Sequence, residues 1–446
     1  MYRFTRFITI VLMLTFVLAG CQVPTNPADE NLRAPGQNQD LNKPGKWRAD
    51  LIVPDDYPTI QEAVDAAQPG DVVLVKAAGG PYLEQVVISK DLTLRGMHNP
   101  VIQAPDHPEY FTVQESGSTW EPVVFAYGGT ESGGAISGSE TADISISGFI
   151  IDGNGRQPAS PANRTAGILL RNVSGRDGIS HNTVRNLGVG GRETIGIMVY
   201  GDSRLTIAGN TVSDYERGGI GANGDGGAHP APNVIIRGNH VTGTTGIGEA
   251  WAPNGIQIGF GATGSIIGNT VEDNRWAASP GSGDFASGII VFEADHVQVR
   301  ENRVTNSDTG IDVGAWSWLL PSADHVLIAG NQVKNAFSGI LLESDALDPY
   351  SHSDPSVSHN LVINNVLTSG LPGGVGIKID TVDTSTEYDP VALHNRIMNN
   401  VIHGFDTDVV DEGAGTIIHN RFKPFSGWQA HRIPSSRTGR LRHHMR

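Results

Sequence analysis

The sequence predicts an all-β chain wound as a parallel β-solenoid, and three observations predict it. A unit apolar-x-x-Asn-x-apolar recurs roughly every 30 residues, a second unit Gly-Ile-x-apolar alternates with it, and both carry the two-residue period of strands rather than the period of a helix. Strands this short cannot bury an apolar face alone, but stacking each on its equivalent one turn earlier fills a continuous interior. The 446 residues include 56 Gly, 25 Pro and one Cys, which excludes a coiled coil and a disulfide scaffold. With 47 acidic and 31 basic residues the net charge is −16, which argues against a nucleic-acid partner.

The first 20 residues read as a signal peptide: Arg3 and Arg6, an uncharged apolar run over 7–19, then Gly20. Thirteen apolar residues fall short of the ~20 that a membrane-spanning helix needs. Residues 21–48 hold Pro24, Pro27, Pro35 and Pro44 among polar residues without hydrophobic period, and read as a flexible tether. Residues 49–422 carry the repeats. Residues 423–446 read as a basic disordered tail; the last 26 residues contain seven Lys or Arg and no acid, so the body is more acidic than the whole chain.

Within the body, Thr59-Ile60-Gln61-Glu62 is a capping box, followed by apolar Ile60, Ala63, Val64 and Ala67 at helical spacing and Gly70 as a terminator. A short helix is therefore expected to cap the open end of the first coil. Strands are expected at 72–75, 86–88 and 92–94.

The Asn units fall at 179–184, 207–212, 236–241, 266–271, 299–304, 328–333 and 357–362, placing Asn182, Asn210, Asn239, Asn269, Asn302, Asn331 and Asn360 in one series that Asn395 and Asn420 extend. An Asn at each tight turn tolerates unusual backbone angles, and its amide can bond to the same amide one coil away, so this series reads as structural. The Gly-Ile units begin at Gly167, Gly196, Gly255, Gly288, Gly310, Gly339 and Gly376.

Two resemblances add to this reading. Leu18-Ala19-Gly20-Cys21 resembles the bacterial lipoprotein signal, which implies acylation of Cys21, a lipid anchor in the cell envelope and, with Gln22 next, the outer membrane of a host that has one. The run 58–64, the run 69–75, Tyr82-Leu83-Glu84 and Leu92-Thr93-Leu94-Arg95-Gly96 resemble the first coil of the right-handed parallel β-helix proteins of the pectin-lyase-like superfamily, NosD-type proteins included. That resemblance implies the hand of the coil and leaves the chemistry open, because the superfamily holds lyases, glycosidases, esterases, epimerases and non-catalytic proteins.

Candidate chemistry comes from the outward positions of the Gly-Ile strands. One column reads Leu169, Met198, Gln257, Ile290, Asp312, Leu341 and Lys378; the next reads Arg171, Tyr200, Gly259, Phe292, Gly314, Glu343 and Asp380. Polarity gathers in the last three coils, so Asp312, Glu343, Lys378 and Asp380 are the candidate catalytic residues. Two carboxylates one strand spacing apart suit acid and base roles in glycoside hydrolysis or a shared cation, with Ca2+ a candidate. Elimination on a uronate would instead need a cation to neutralise the substrate carboxylate and a base such as Lys378 or His352. Trp251, Trp276, Trp316, Trp318 and Tyr350, between strands, offer flat faces for sugar rings and are the candidate substrate-binding residues. Asp348-Pro349-Tyr350-Ser351-His352 resembles the Asp-Pro-His motif of alginate epimerases loosely, with two residues interposed. Asn223-Gly224-Asp225-Gly226 lacks EF-hand spacing and reads as a turn. Fifteen His without clustered Cys give no zinc signature. The expectation is an envelope lipoprotein that binds a polysaccharide, with cleavage by a lyase or hydrolase step left open; the alternative is a non-catalytic accessory or interaction protein of the NosD type.

Overall fold

The computed structural model describes residues 49–420 apart from 161, 189–192, 244–251, 277–285, 347–350, 384 and 386. The signal peptide, Cys21, the tether, the tail, Trp251 and Tyr350 lie outside the described residues. Each full coil contributes one strand to each of three long sheets, which hold 13, 11 and 14 strands among the described residues. In each coil the chain runs through the 14-strand sheet, called the third here, then the first (13 strands), then the second (11 strands).

Stacking is parallel and in register because every coil aligns the same inward residue. Ile266, Val299 and Ile328 are successive partners in the first sheet, Val271, Val304 and Val333 in the second, and Ile289, Ile311 and Ile340 in the third. All nine are buried. Each such side chain contributes ~1.5–3 kcal/mol on burial, and many coils together offset the ordering entropy. The glycine that opens each Gly-Ile unit has a steric cause: a Cβ on Gly255 would lie 2.4 Å from both the Gly288 carbonyl oxygen and Val271 Cγ1. At this corner the third sheet meets the second too closely for any side chain.

At the turn from the first to the second sheet the Asn residues form a hydrogen-bonded ladder. The Asn269 side chain donates through Nδ2 to Asn302 Oδ1 at 2.9 Å and to the Ile236 carbonyl at 2.9 Å, while its backbone N–H donates to Asn302 Oδ1 at 2.9 Å. The pattern repeats from Asn182 to Asn331 as expected, and then departs from the expected series. Asn331 bonds to Asn365, not Asn360, and the ladder continues through Asn400 to Asn420. Asn360 and Asn395 make a separate short column five residues earlier. The left-handed backbone angles also belong to the residue before each ladder Asn, for example Gly238, Gly268, Glu301 and Asn364. The ladder Asn supplies hydrogen bonds rather than an unusual φ.

The Gly-Ile series also gains a coil. The strand Gly218–Asn223 pairs between Thr194–Tyr200 and Asn254–Gly259 and places Gly221 in the first outward column.

The capping helix spans Ile60–Ala66, with Thr59 Oγ1 accepting from the Glu62 N–H at 3.2 Å. Its other free N–H groups find Glu84, whose carboxylate accepts from Ile60 and Gln61 at 2.9 and 2.8 Å, a favourable anion at a helix N-terminus. The helix ends at Ala66 with Ala67 extended, so Gly70, three residues on at φ +88°, turns the chain into the strand Asp71–Lys76 rather than capping the helix. That strand pairs with Leu51–Val53, which precedes the helix.

Candidate functional site

The outward face of the third sheet changes character along the coil. In the early coils Phe125, Leu169 and Met198 point outward, and the segments 111–115 and 130–138 on either side of the Phe125 strand fold back to bury them together with Phe111, Val113, Trp120 and Ile136. A buried ion pair latches this cover. Arg171 donates to Glu115 at 2.9 and 2.7 Å, and its remaining N–H groups reach the carbonyls of Gly128, Ser137 and Gly138.

Beyond Gln257 the same face is polar and aromatic. Asp312, Leu341 and Lys378 are partners on three successive coils, as are Gly314, Glu343 and Asp380. All four expected catalytic residues therefore share one sheet face. Asp312 sits deepest, 4% exposed, accepting from Ser287 Oγ at 3.1 Å. Lys378 Nζ lies 2.5 Å from Asp380 Oδ2. This ion pair occupies the ammonium, which suits charge neutralisation better than the proton abstraction considered for Lys378.

Two further carboxyls complete the row. Asp345 follows Glu343 by two residues on the strand Ser338–Ala346, so alternation turns it to the same side, and it pairs in register with Val382. Burial, then the neighbouring Asp380 charge, pushes its carboxyl up to about 7, against the pull of the Val382 N–H and Lys378. Glu412 follows the strand Thr407–Asp411; burial raises its carboxyl too, reinforced by a hydrogen bond with Asp380 and by the Asp380 charge. A carboxyl that keeps its proton near neutrality thus stands beside an ion-paired carboxylate, the division of labour that acid–base chemistry uses. Sequence reasoning missed both: extending the two-residue period past Glu343 would have found Asp345, whereas Glu412 lies after a strand with no Gly-Ile signature.

The aromatics adjoin this row. Phe260, Phe292, Trp316 and Trp318 form one cluster, with centroids 5.4 Å apart for Phe260–Phe292, 5.5 Å for Phe292–Trp316 and 5.0 Å for Trp316–Trp318. Trp316 Nε1 donates to Glu343 Oε1 at 3.2 Å, joining the aromatic and acidic parts. Gly314 leaves a notch between them, since a Cβ there would stand 3.1 Å from Glu343 Oε1 and 3.2 Å from the Phe292 ring. The loop bearing Trp318 is held from below: the buried Glu293 carboxylate accepts from the Trp318, Leu319 and Leu320 N–H groups at 2.6, 2.9 and 3.0 Å. Trp318 and Leu319 remain 38% and 54% exposed.

The other candidates part from this site. Trp276 sits at the opposite corner, where the chain passes from the second sheet to the third, and its N–H donates to Asp308 at 3.0 Å. It does not join Trp316 and Trp318. His352 is exposed beside the aromatic loop, its N–H donating to the Ser317 carbonyl at 3.1 Å, while Asp348 and Tyr350 of its motif lie outside the described residues. In the turn at Asn223, burial of Asp225 is outweighed by hydrogen bonds from His229, which hold its carboxyl low. Among the described residues no group of three or more His, Cys, Asp or Glu is disposed to hold a metal ion.

Comparison with known proteins bears on the fold. Residues 195–381 match the family described as "Right handed beta helix region". The coil is a right-handed parallel β-helix, the hand that parallel crossovers take. No curated protein matches the sequence. Among solved structures the chain is similar to the A-module of mannuronan C-5 epimerase AlgE4 from Azotobacter vinelandii, at 15% identity and a TM-score of 0.43, covering 80% of this chain and 94% of that one. It is similar to PfbA, a surface adhesin of Streptococcus pneumoniae, at 15% identity and 0.48, covering 81% and 86%. A third is an alginate lyase from Paenibacillus sp., at 12% and 0.36, covering 81% and 95%.

Proposed function

We propose that the outward face of the third sheet, from Phe260 to Glu412, binds an extended polysaccharide, and that Glu343, Asp345, Asp380 and Glu412 act on it. The protein carrying this face would be tethered to the cell envelope through Cys21. The observation that carries the reading is the direct contact between a partly exposed Trp cluster and a row of carboxyls in which Asp345 titrates near 7. Sugar rings stack their C–H faces on Trp, and glycoside hydrolysis needs one protonated and one ionised carboxyl flanking the bond. Lys378, already ion-paired, would neutralise a substrate carboxylate.

Incubating the purified protein with pectic, alginate and neutral glycans separates the chemistries: new reducing ends mean hydrolysis, and an unsaturated ultraviolet-absorbing product means elimination. No product and no retention on any glycan would overturn the proposal. A second reading, binding without turnover as in an accessory protein of the envelope, is favoured by the Lys378–Asp380 ion pair and the Trp316–Glu343 hydrogen bond, which occupy both carboxylates. Under it Glu343→Gln and Asp380→Asn leave glycan retention unchanged, whereas Trp318→Ala lowers it.

A further inference from the structure

A second cleft lies on the second sheet, around the corner from the carboxyl row. It encloses about 460 Å3 and is lined by Glu272, Arg303, Thr305, Asn306, Lys334, Asn335, Thr368, Ser369 and Gly370. Its floor is the outward row of this sheet: Glu272, Thr305, Lys334 and Thr368 are register partners on four successive coils, with Arg303 two residues before Thr305 on the same face. Its wall is the turn into the third sheet, where Asn335 Nδ2 donates to Asn306 Oδ1 at 2.6 Å and Asn306 Nδ2 donates to Asp273 at 3.0 Å.

The lining is hydroxyl, amide and charge, with no aromatic ring. The Arg303 guanidinium and the Lys334 ammonium are exposed and make no ion pair or hydrogen bond among the described residues. Two cations left open in a chain of net charge −16 stand out, because the surrounding acids had every chance to pair with them. The one acid in the lining, Glu272, is engaged instead by Thr305 Oγ1 at 3.4 Å and His240 Nε2 at 3.6 Å. Arg275 stands just behind, donating to the Asn335 carbonyl at 2.9 Å.

We propose that this cleft is a binding site for an anionic sugar, whose carboxylate or sulfate sits between Arg303 and Lys334 and whose hydroxyls meet the Thr, Ser and Asn side chains. An Arg guanidinium grips an oxyanion through two parallel hydrogen bonds, and a nearby ammonium adds charge without directional demand. Because the volume exceeds one sugar ring, an internal or terminal unit of a chain fits as well as a monosaccharide. The site is independent of the third-sheet face.

Titration calorimetry at low salt with trigalacturonate tests it, with maltotriose and inorganic sulfate as further ligands. Expected are binding of trigalacturonate, none of maltotriose, and at least a tenfold loss of affinity in Arg303→Gln/Lys334→Gln, whose exposed side chains leave the coil intact by circular dichroism. Arg237→Gln, an exposed cation on the first sheet, should bind at wild-type strength. Binding retained in Arg303→Gln/Lys334→Gln would place it elsewhere on the molecule and overturn the proposal. Sulfate binding as tightly as trigalacturonate would overturn the sugar recognition, and no binding of any anion would overturn the site.

Discussion

Replacing Asp345 by Asn should stabilise the protein at alkaline pH and leave it nearly unchanged in acid. The Asp345 carboxyl stands at about 7 in the folded chain against an ordinary 3.8, because it is buried and faces the Asp380 charge. A raised acid means that the folded state binds the proton more tightly than the unfolded chain, so folding loses stability as pH climbs from about 4 to about 7 and stays weakened above. About three pH units at 1.36 kcal/mol each amount to ~4 kcal/mol. Asn has the shape of the protonated acid and removes that penalty. At pH 8 the Asp345→Asn variant should therefore gain up to ~4 kcal/mol, which is ~5 °C in Tm if a coil of this size melts as one unit. At pH 4 the folded carboxyl is protonated and the unfolded one nearly half so, and the gain should fall below ~1 kcal/mol. Thermal unfolding by circular dichroism at both pH values reads this directly. A variant less stable than wild type at pH 8, or shifted equally at both, would refute the reasoning, because Asp345 would then be ionised and well paired in the fold.

Three other outcomes follow from named contacts. Asn302→Leu should cost at least ~3 kcal/mol in denaturant unfolding, since it strands the Asn269 N–H in a dry turn and removes one partner each from Asn269 Nδ2, the Ile266 carbonyl and Asn331 Oδ1. Gly255→Ala should cost ~3 kcal/mol by the same assay, because its Cβ meets the Gly288 carbonyl and Val271 at 2.4 Å. Glu293→Gln should speed hydrogen exchange at the Trp318, Leu319 and Leu320 amides by roughly tenfold or more and weaken any glycan retention that depends on Trp318, with the coil itself unaffected.

The repeats made the fold legible, and the places where reading failed have physical causes. Val357, Asn360 and Val362 satisfy the repeat as well as Val362, Asn365 and Leu367 do, so two overlapping frames compete within ten residues. Only the partner on the previous coil decides: Ile328 lies opposite Val362, and the true frame follows. The coil at Gly219-Ile220-Gly221-Ala222 escaped because Ala222 is a weak apolar signal, yet it is fully buried. The site was legible where a glycine fixes the frame of a strand, which brought Asp312, Glu343, Lys378 and Asp380 to one face. It was not legible in the loops, because the loop length sets which corner of the coil an aromatic reaches. Trp276 precedes a strand of the third sheet and Trp316 follows one, which puts them at opposite corners.

The chain treats the outer face of the third sheet in two ways. Where that face is apolar, at Phe125, Leu169 and Met198, the chain covers it with segments 111–115 and 130–138 and locks the cover with the Arg171–Glu115 pair. Where it turns aromatic, near Phe292, Trp316 and Trp318, a buried carboxylate holds the loop in place but leaves Trp318 and Leu319 open to solvent. Burying Glu293 costs several kcal/mol unless its hydrogen bonds compensate, and those bonds go to the backbone of the exposed segment alone. The loop already covers Phe292, which packs against Trp316 and Trp318 and is 7% exposed, and it still leaves Trp318 and Leu319 facing outward, as the proposed ligand face requires. If Glu293→Gln leaves both the loop amides and glycan retention untouched, that argument fails.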